Sequence, residues 1–425
     1  MVAWCTTTLR TIPCLPSFSE ERRDFDRGRI HQKSGNHTGQ ERGSFRYNDG
    51  MRIGRWIPCL VGLVLAAGIG FVVHDDESIA KAEPQPAPIV APRVLMLSGH
   101  PGSTQTQLMV ASAGTNDTPK AIATLDHIPE AVVKGALLPG GNAALVIADT
   151  IPSRELSWAA SLMIIEKGQP PRKLVEGVYH ASRPLVTADG RVFVQRGKAG
   201  KNLSVDGHHL AMRVDDLSID EVDLATGSTR SILSWKGYET HLAASIEHEI
   251  IVYRVGPQGA DLVAIHADTR QLRVVVPSWP PMARDFSVDE PARAIVVQQL
   301  GEGPVRQWVV ERIDVDTGKR QVLATSPHLD LVPYAFPDGS VLVNPADRRG
   351  PRRLGASHGI QGLDGPGVMW LRATSEDRAW MTGTWAIPGS LPVGIVVRAS
   401  DGKVVTVPRV EGHRVEILGL AGGAW

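Results

Sequence analysis

The sequence predicts an all-β propeller behind an N-terminal membrane anchor. Three observations carry that expectation: a turn phrase that recurs along the chain, a hairpin phrase that alternates with it, and a composition rich in turn formers. The turn phrase is clearest at 186–195, Val-Thr-Ala-Asp-Gly-Arg-Val-Phe-Val-Gln. Its Ala-Asp-Gly runs straight into alternating apolar residues, Val192 and Val194, the pattern of a tight turn feeding a half-buried strand. It recurs at 334–343 as Tyr-Ala-Phe-Pro-Asp-Gly-Ser-Val-Leu-Val, with looser copies at 138–147, 245–252, 287–296 and 375–381. The hairpin phrase is a strand, a polar turn ending in glycine, and a second strand. It stands at 162–168, 222–227, 313–318 and 397–402, and at 265–270 with Arg270 in the glycine position. Together the phrases give four short strands per unit at a period of roughly 40–55 residues, the signature of a propeller.

Composition sets the outer limits. The chain has 425 residues, 42% hydrophobic and 21% charged, with 43 glycines and 30 prolines. That is ordinary for a globular protein and favours many turns over long helices. Lys and Arg total 45 against 45 Asp and Glu, so no field of one sign recommends a nucleic-acid partner. Cys5, Cys14 and Cys59 all precede the repeats. The repeat region therefore has no disulfide framework and no cysteine-based metal site.

Taken in order, residues 1–50 are polar, Arg-rich and without period, the mark of a disordered or wrongly assigned extension. Met51 is the expected true start. Residues 51–74 form a signal anchor: Arg52 and Arg55 precede the apolar run from Trp56 to Val73, and acidic residues follow it. That charge order keeps the N-terminus inside and sends the rest out of the cytoplasm. Ala80-Lys81-Ala82 resembles a cleavage site but lies beyond the usual distance from the run, so both a retained anchor and a cleaved signal stay open. Residues 75–92, rich in proline, are a semi-rigid spacer. Residues 93–425 hold the repeats.

The two phrases resemble the TolB-type β-propeller repeats, in which a Ser-Pro-Asp-Gly-like turn joins the first two strands and an Asp-x-x-Thr-Gly-like hairpin the last two. Thr187-Ala-Asp-Gly190 and Phe336-Pro-Asp-Gly339 match the first, and Asp223–Gly227 and Asp314–Gly318 the second. The resemblance spans roughly residues 93–420 and implies architecture only. Three strands precede the second unit, and 410–420 parallels the approach to an inner strand at 175–185, so a C-terminal strand is expected to complete the first blade and remove its open edge. The count is seven blades; six would follow if the short, Gly-rich stretch at 331–367 were not a unit.

Chemistry is sparse. Gly355-Ala-Ser-His-Gly359 satisfies a nucleophile-elbow pattern, but its Arg-rich and Gly-rich flanks do not supply the strand before and helix after that the elbow needs. No metal motif is present, and no cofactor is expected: His248-Glu249 lacks a partner histidine one helical turn on. A stretch at 197–216 reads as an irregular insertion in the third unit. Its polar residues Asp206, His208, His209, Arg213, Asp215 and Asp216 are candidate partner contacts, though a plain solvated loop has the same composition.

Histidine placement is the other signal. His127, His180, His241 and His328 each fall between an outer strand and the next inner strand, and His413 falls before the closing strand. Arg284-Asp285 occupies one remaining slot and Leu363-Asp364 the other. Such crossovers gather at one mouth of a propeller. A ring of imidazoles there would line a ligand, metal or pH-sensing site; the plainer role is to bond backbone and fix the next blade. The expected function is a non-catalytic, membrane-tethered scaffold that binds a protein or glycan in the cell envelope. The alternatives are a propeller enzyme, a lyase or hydrolase, and a small-ligand sensor at the channel mouth.

Overall fold

The computed structural model describes residues 92–129, 131, 133–149, 160–180, 182–205, 209–235, 239–256, 259–279, 282–301, 307–327, 331–344, 350–363 and 365–425. The predicted extension, anchor and spacer therefore lie outside the described residues, apart from Pro92. Among the described residues no helix is long and apolar enough to cross a membrane. One compact unit, Val90–Trp425, contains all that is described.

That unit is all-β and built from antiparallel meanders. The first comprises β1 (Arg93–Gly99), β2 (Gln105–Ser112) and β3 (Lys120–Asp126). The second has β4 (Lys134–Leu137), β5 (Ala143–Asp149), β6 (Ala160–Glu166) and β7 (Arg172–Val178). The third has β8 (Leu185–Val186), β9 (Val192–Val205), β10 (His209–Val222) and β11 (Thr229–Trp235), and one pair, Val178 with Arg196, links it to the second. The fourth has β12 (Glu239–Ile246), β13 (Glu249–Gly256), β14 (Gly259–His266) and β15 (Leu272–Trp279). The fifth has β16 (Ala283–Asp289), β17 (Ala294–Leu300), β18 (Trp308–Asp314) and β19 (Arg320–Ser326). A three-stranded sheet follows, β20 (Tyr334–Ala335), β21 (Val341–Val343) and β22 (Arg352–Leu354). The last has β23 (Val368–Thr374), β24 (Trp380–Ala386), β25 (Val393–Arg398) and β26 (Val404–Thr406), and β27 (Arg414–Leu420) returns to pair with β1.

The first strands of these sheets neighbour one another in a closed circuit: β27, β4, β8, β12, β16, β20, β23 and back to β27. They surround a central bore. Burial follows position in the sheet. The second strands, such as β5 and β17, are buried on both faces; β5 reads as an apolar run, and β17 does so as far as Val297 before the buried Gln298 and Gln299. The outer β19 is mostly exposed. Alternation along β1 serves two neighbours at once. Val94 and Met96 pack on Val396, Val407 and Ile417 of one side, while Leu95 and Leu97 pack on Val146, Ile165 and Leu418 of the other. Each fully buried side chain of this size contributes about 1.5–3 kcal/mol.

The turn phrases do what their residues predict. Gly190 donates to the Thr187 carbonyl at 2.9 Å and Gly339 to the Phe336 carbonyl at 2.9 Å, both glycines with φ near 80° (85° and 79°). In the hairpin phrase, Oδ1 of Asp223 accepts from the N–H of Ala225 (3.0 Å) and Thr226 (2.8 Å). Asp314 repeats this with Asp316 (3.0 Å) and Thr317 (2.8 Å).

Two expectations are corrected. Residues 197–216 are not an irregular loop. Apart from residues 206–208, they continue β9 and β10 as a long hairpin, with Gly197 opposite Leu217 and His209 opposite Val205. The stretch at 331–367 pairs as three strands, and its Gln361 instead bridges Lys403 of the next sheet.

Candidate functional site

The polar residues that meet in the bore come from or just before the inner strands of every sheet but the fourth, one or two from each. Lys134 opens β4, Arg183 stands just before β8, Arg284 and Asp285 lie in β16, Tyr334 in β20, Arg372 in β23 and Glu416 in β27. None belongs to a motif. The closed circuit alone brings them together.

Two ion pairs order the group. Nη1 of Arg183 donates to Oε1 of Glu416 at 2.5 Å, and the same oxygen accepts from the Gly135 N–H at 3.3 Å. Oδ2 of Asp285 accepts from Nε of Arg284 at 2.7 Å and from Nε2 of Gln298 at 2.5 Å. Asp285 is buried and holds φ at 54°, a conformation that costs a non-glycine residue of order 1–2 kcal/mol. The sheet thus holds this carboxylate in place against local strain.

Arg372 differs. Its side chain is exposed to solvent, yet it lies within electrostatic reach of Arg183, Arg284, Asp285 and Glu416. Register slips between Leu371 and Ala373, so Arg372 is the extra residue of a β-bulge, an irregularity that re-aims a side chain. Burial first, and the like charge of Arg183 second, push its guanidinium down to about 10, with Asp285 and Glu416 opposing. The ammonium of Lys134 is pushed down to about 8 by burial and by Arg183, with Glu416 opposing. Beside Arg372, the Tyr334 hydroxyl shares a hydrogen bond with Oγ1 of Thr374 at 2.9 Å, and burial raises that phenol to about 12.

The crossover residues are placed separately. Nδ1 of His127 faces the Ile128 carbonyl at 2.8 Å and Nε2 faces the Thr106 hydroxyl at 2.9 Å. A neutral ring with its proton on Nδ1 satisfies both. His180 meets Tyr179 edge-on with ring centroids 5.2 Å apart, and His241 stacks on Tyr253 at 5.8 Å. Nδ1 of His413 lies 3.1 Å from the Ser98 hydroxyl, and its ring meets His100. His127 and His180 do converge electrostatically on Asp149, whose carboxyl is raised by burial and pulled back by both imidazoles. Among the described residues, no three His, Cys, Asp or Glu side chains are grouped to hold a metal. His328 and Asp364 lie outside the described residues.

In the extended hairpin, Asp206 and His208 also lie outside the described residues. His209, Arg213, Asp215 and Asp216 stand on the β10 backbone, where the register slips on either side of Val214. The Gly355–Gly359 pattern places Ser357 in an exposed bend after a three-residue strand, with no helix behind it, so the elbow geometry is lacking. The bore cations are what sequence reading missed. Each is a lone charged residue on a separate strand, and the only available signal was a charge at an inner-strand position.

No protein-family model matches the chain, and no curated protein matches it in sequence. Solved structures do. TolB from Acinetobacter baumannii is 12% identical with a TM-score of 0.45, over 76% of this chain and 65% of that one. An oligogalacturonate lyase in complex with manganese is 11% identical, TM-score 0.40, over 76% of this chain and 98% of that one. A prolyl endopeptidase is 15% identical with a TM-score of 0.52, over 77% of this chain and 49% of that one. The chain therefore spans about two thirds of that TolB and half of that endopeptidase. At these identities the likeness extends to the fold alone: this chain is an all-β protein of the propeller type.

Proposed function

We propose that this protein is a non-catalytic binding propeller of seven blades, held outside the cytoplasm by an anchor at 51–74 and a spacer at 75–92. Its partner is a protein or glycan of the cell envelope. The observation that carries the reading is the convergence of charged inner-strand residues on the bore, with their carboxylates already committed to arginines and amides. A concave, water-reached place lined by fixed charges supports recognition of a polar group. The closed circuit of inner strands supports the blade count, with β20–β22 as a reduced blade. Proton transfer would ask for imidazoles able to reach a substrate. His127 has both ring nitrogens engaged with the protein and His241 lies against Tyr253, which favours binding over catalysis.

The test is capture from solubilised envelope by the full chain in mild detergent. Beside it runs a variant with residues 198–216 replaced by Asn-Gly. Gly197 and Leu217 are already paired, so a two-residue turn closes the shortened hairpin. A partner held by the full chain and lost from this variant assigns the extended hairpin as the docking surface. A partner held by both, and lost on Lys134→Gln, assigns the bore. Absence of any chain-specific partner in crosslinked and uncrosslinked extracts would count against a scaffold.

A further inference from the structure

We propose that the bore is an oxyanion site, which takes a carboxylate or phosphate group of its ligand on Arg372, with Lys134 beside it. The inference rests on the binding reading above and names the chemistry of that site.

The charge inventory comes first. Lys134, Arg183, Arg284 and Arg372 face Glu416 and Asp285; Arg183 pairs with Glu416, Arg284 pairs with Asp285, and Lys134 is itself held by a contact. Each carboxylate already accepts a second donor, Gly135 N–H or Gln298 Nε2. Among the described residues Arg372 has no hydrogen bond and no ion pair. A guanidinium set among like charges, with both nearby carboxylates paired elsewhere, is unfavourable, and the chain could remove it by substitution. Instead a bulge in β23 aims it inward, and the Asp285 strain secures a neighbouring ion pair. A planar guanidinium is the group suited to bidentate capture of carboxylate or phosphate, with Lys134 adding a point charge.

The turns that end the inner strands are joined between next-but-one sheets: Arg378 pairs with Glu290, and the Gly140 N–H donates to Glu376.

The experiment uses the full chain in detergent at pH 7, titrated with sodium phosphate, sodium acetate or sodium glucuronate against sodium chloride at equal ionic strength. Thermal unfolding and calorimetry are the readouts. The expected result is a saturable, one-to-one stabilisation by at least one oxyanion. Phosphate and the two carboxylates distinguish the sources. Arg372→Gln should weaken that anion at least tenfold and raise the melting temperature of the unliganded protein, because it removes like-charge repulsion. A merely structural arginine would lower it. Arg372→Lys, which keeps charge but loses the fork, should weaken the anion severalfold while folding normally. No saturable effect from any of the three salts, or equal effects on wild type and Arg372→Gln, overturns the proposal. Partner capture that persists while no anion binds would leave the binding reading standing and remove this one. Anion binding without any captured partner would do the reverse.

Discussion

Arg270 stands where the hairpin phrase calls for glycine, and its backbone complies: φ is 60°, and its N–H bonds the His266 carbonyl at 2.8 Å as Gly227 bonds Asp223 and Gly318 bonds Asp314. His266 fills the aspartate's role, its Nδ1 accepting from Asp268 and Thr269 N–H at 3.3 and 3.4 Å. The turn phrase shows the same persistence, since Glu247, Arg293 and Arg378 carry positive φ in its degraded copies. A side chain in the left-handed region costs about 1–2 kcal/mol, and glycine's extra unfolded entropy returns about 0.5–1 of that. Arg270 is exposed, so Arg270→Gly should stabilise by roughly 0.5–1 kcal/mol in urea unfolding. Arg293 is the contrast. Its guanidinium binds Asp316 at 2.9 Å and Glu247 at 2.5 Å, and these raise its basicity further. Arg293→Gly should show no gain, because strain relief and lost pairing oppose each other. A destabilised Arg270→Gly would mean that its backbone is not strained.

At the level of elements, closure by β27 decides whether the first sheet has an inner strand at all. Ile417 is buried in the cluster that joins Val94 and Met96 to Val396 and Val407. Its truncation to alanine should cost about 2–4 kcal/mol in urea unfolding. The C-terminus reinforces the closure, with the Trp425 indole donating to the Gly141 carbonyl and Gly422 N–H doing so at 3.1 Å. If Ile417→Ala costs no more than an exposed substitution, such as Val322→Ala on β19, the closing strand is not fixing the ring. This pairing was legible because a strand's worth of apolar residues at 410–420 had no other partner in the count. The turns were legible because Asp and Gly act locally. The hairpin at 197–216 was not, since polar residues in a strand that leaves its sheet lose the period-two signal. The bore was illegible for a different reason. Arg372, Lys134 and Glu416 are nearest in space only after the circuit closes, and no local spacing encodes that.

The whole molecule holds those charges together, so its pH dependence should report them. Burial and Arg183 depress Lys134 to about 8 in the folded state, with Arg372 and Arg284 adding to the repulsion and Glu416 opposing it. Between about pH 8 and 10.5 the unfolded chain holds a proton that the folded bore has released. Stability from this site therefore rises with pH across that window and is lost as pH falls from 10.5 to 8, with no further change below, the limiting difference being about 3 kcal/mol. Arg372 moves in the same direction but only near pH 10, so below about 9.5 Lys134 dominates. Lys134→Met removes the titrating group while keeping the aliphatic stem. It should raise the urea midpoint most at pH 7 and progressively less at pH 8, 9 and 9.5. Subtracting the variant from wild type at each pH cancels every other lysine in the chain. A difference that does not change with pH would place Lys134 in ordinary solvent rather than in the bore. If the site takes an oxyanion, saturating phosphate should shrink the gain at pH 7. The ligand then adds negative charge beside Lys134 and Glu416, and the basicity of Lys134 rises.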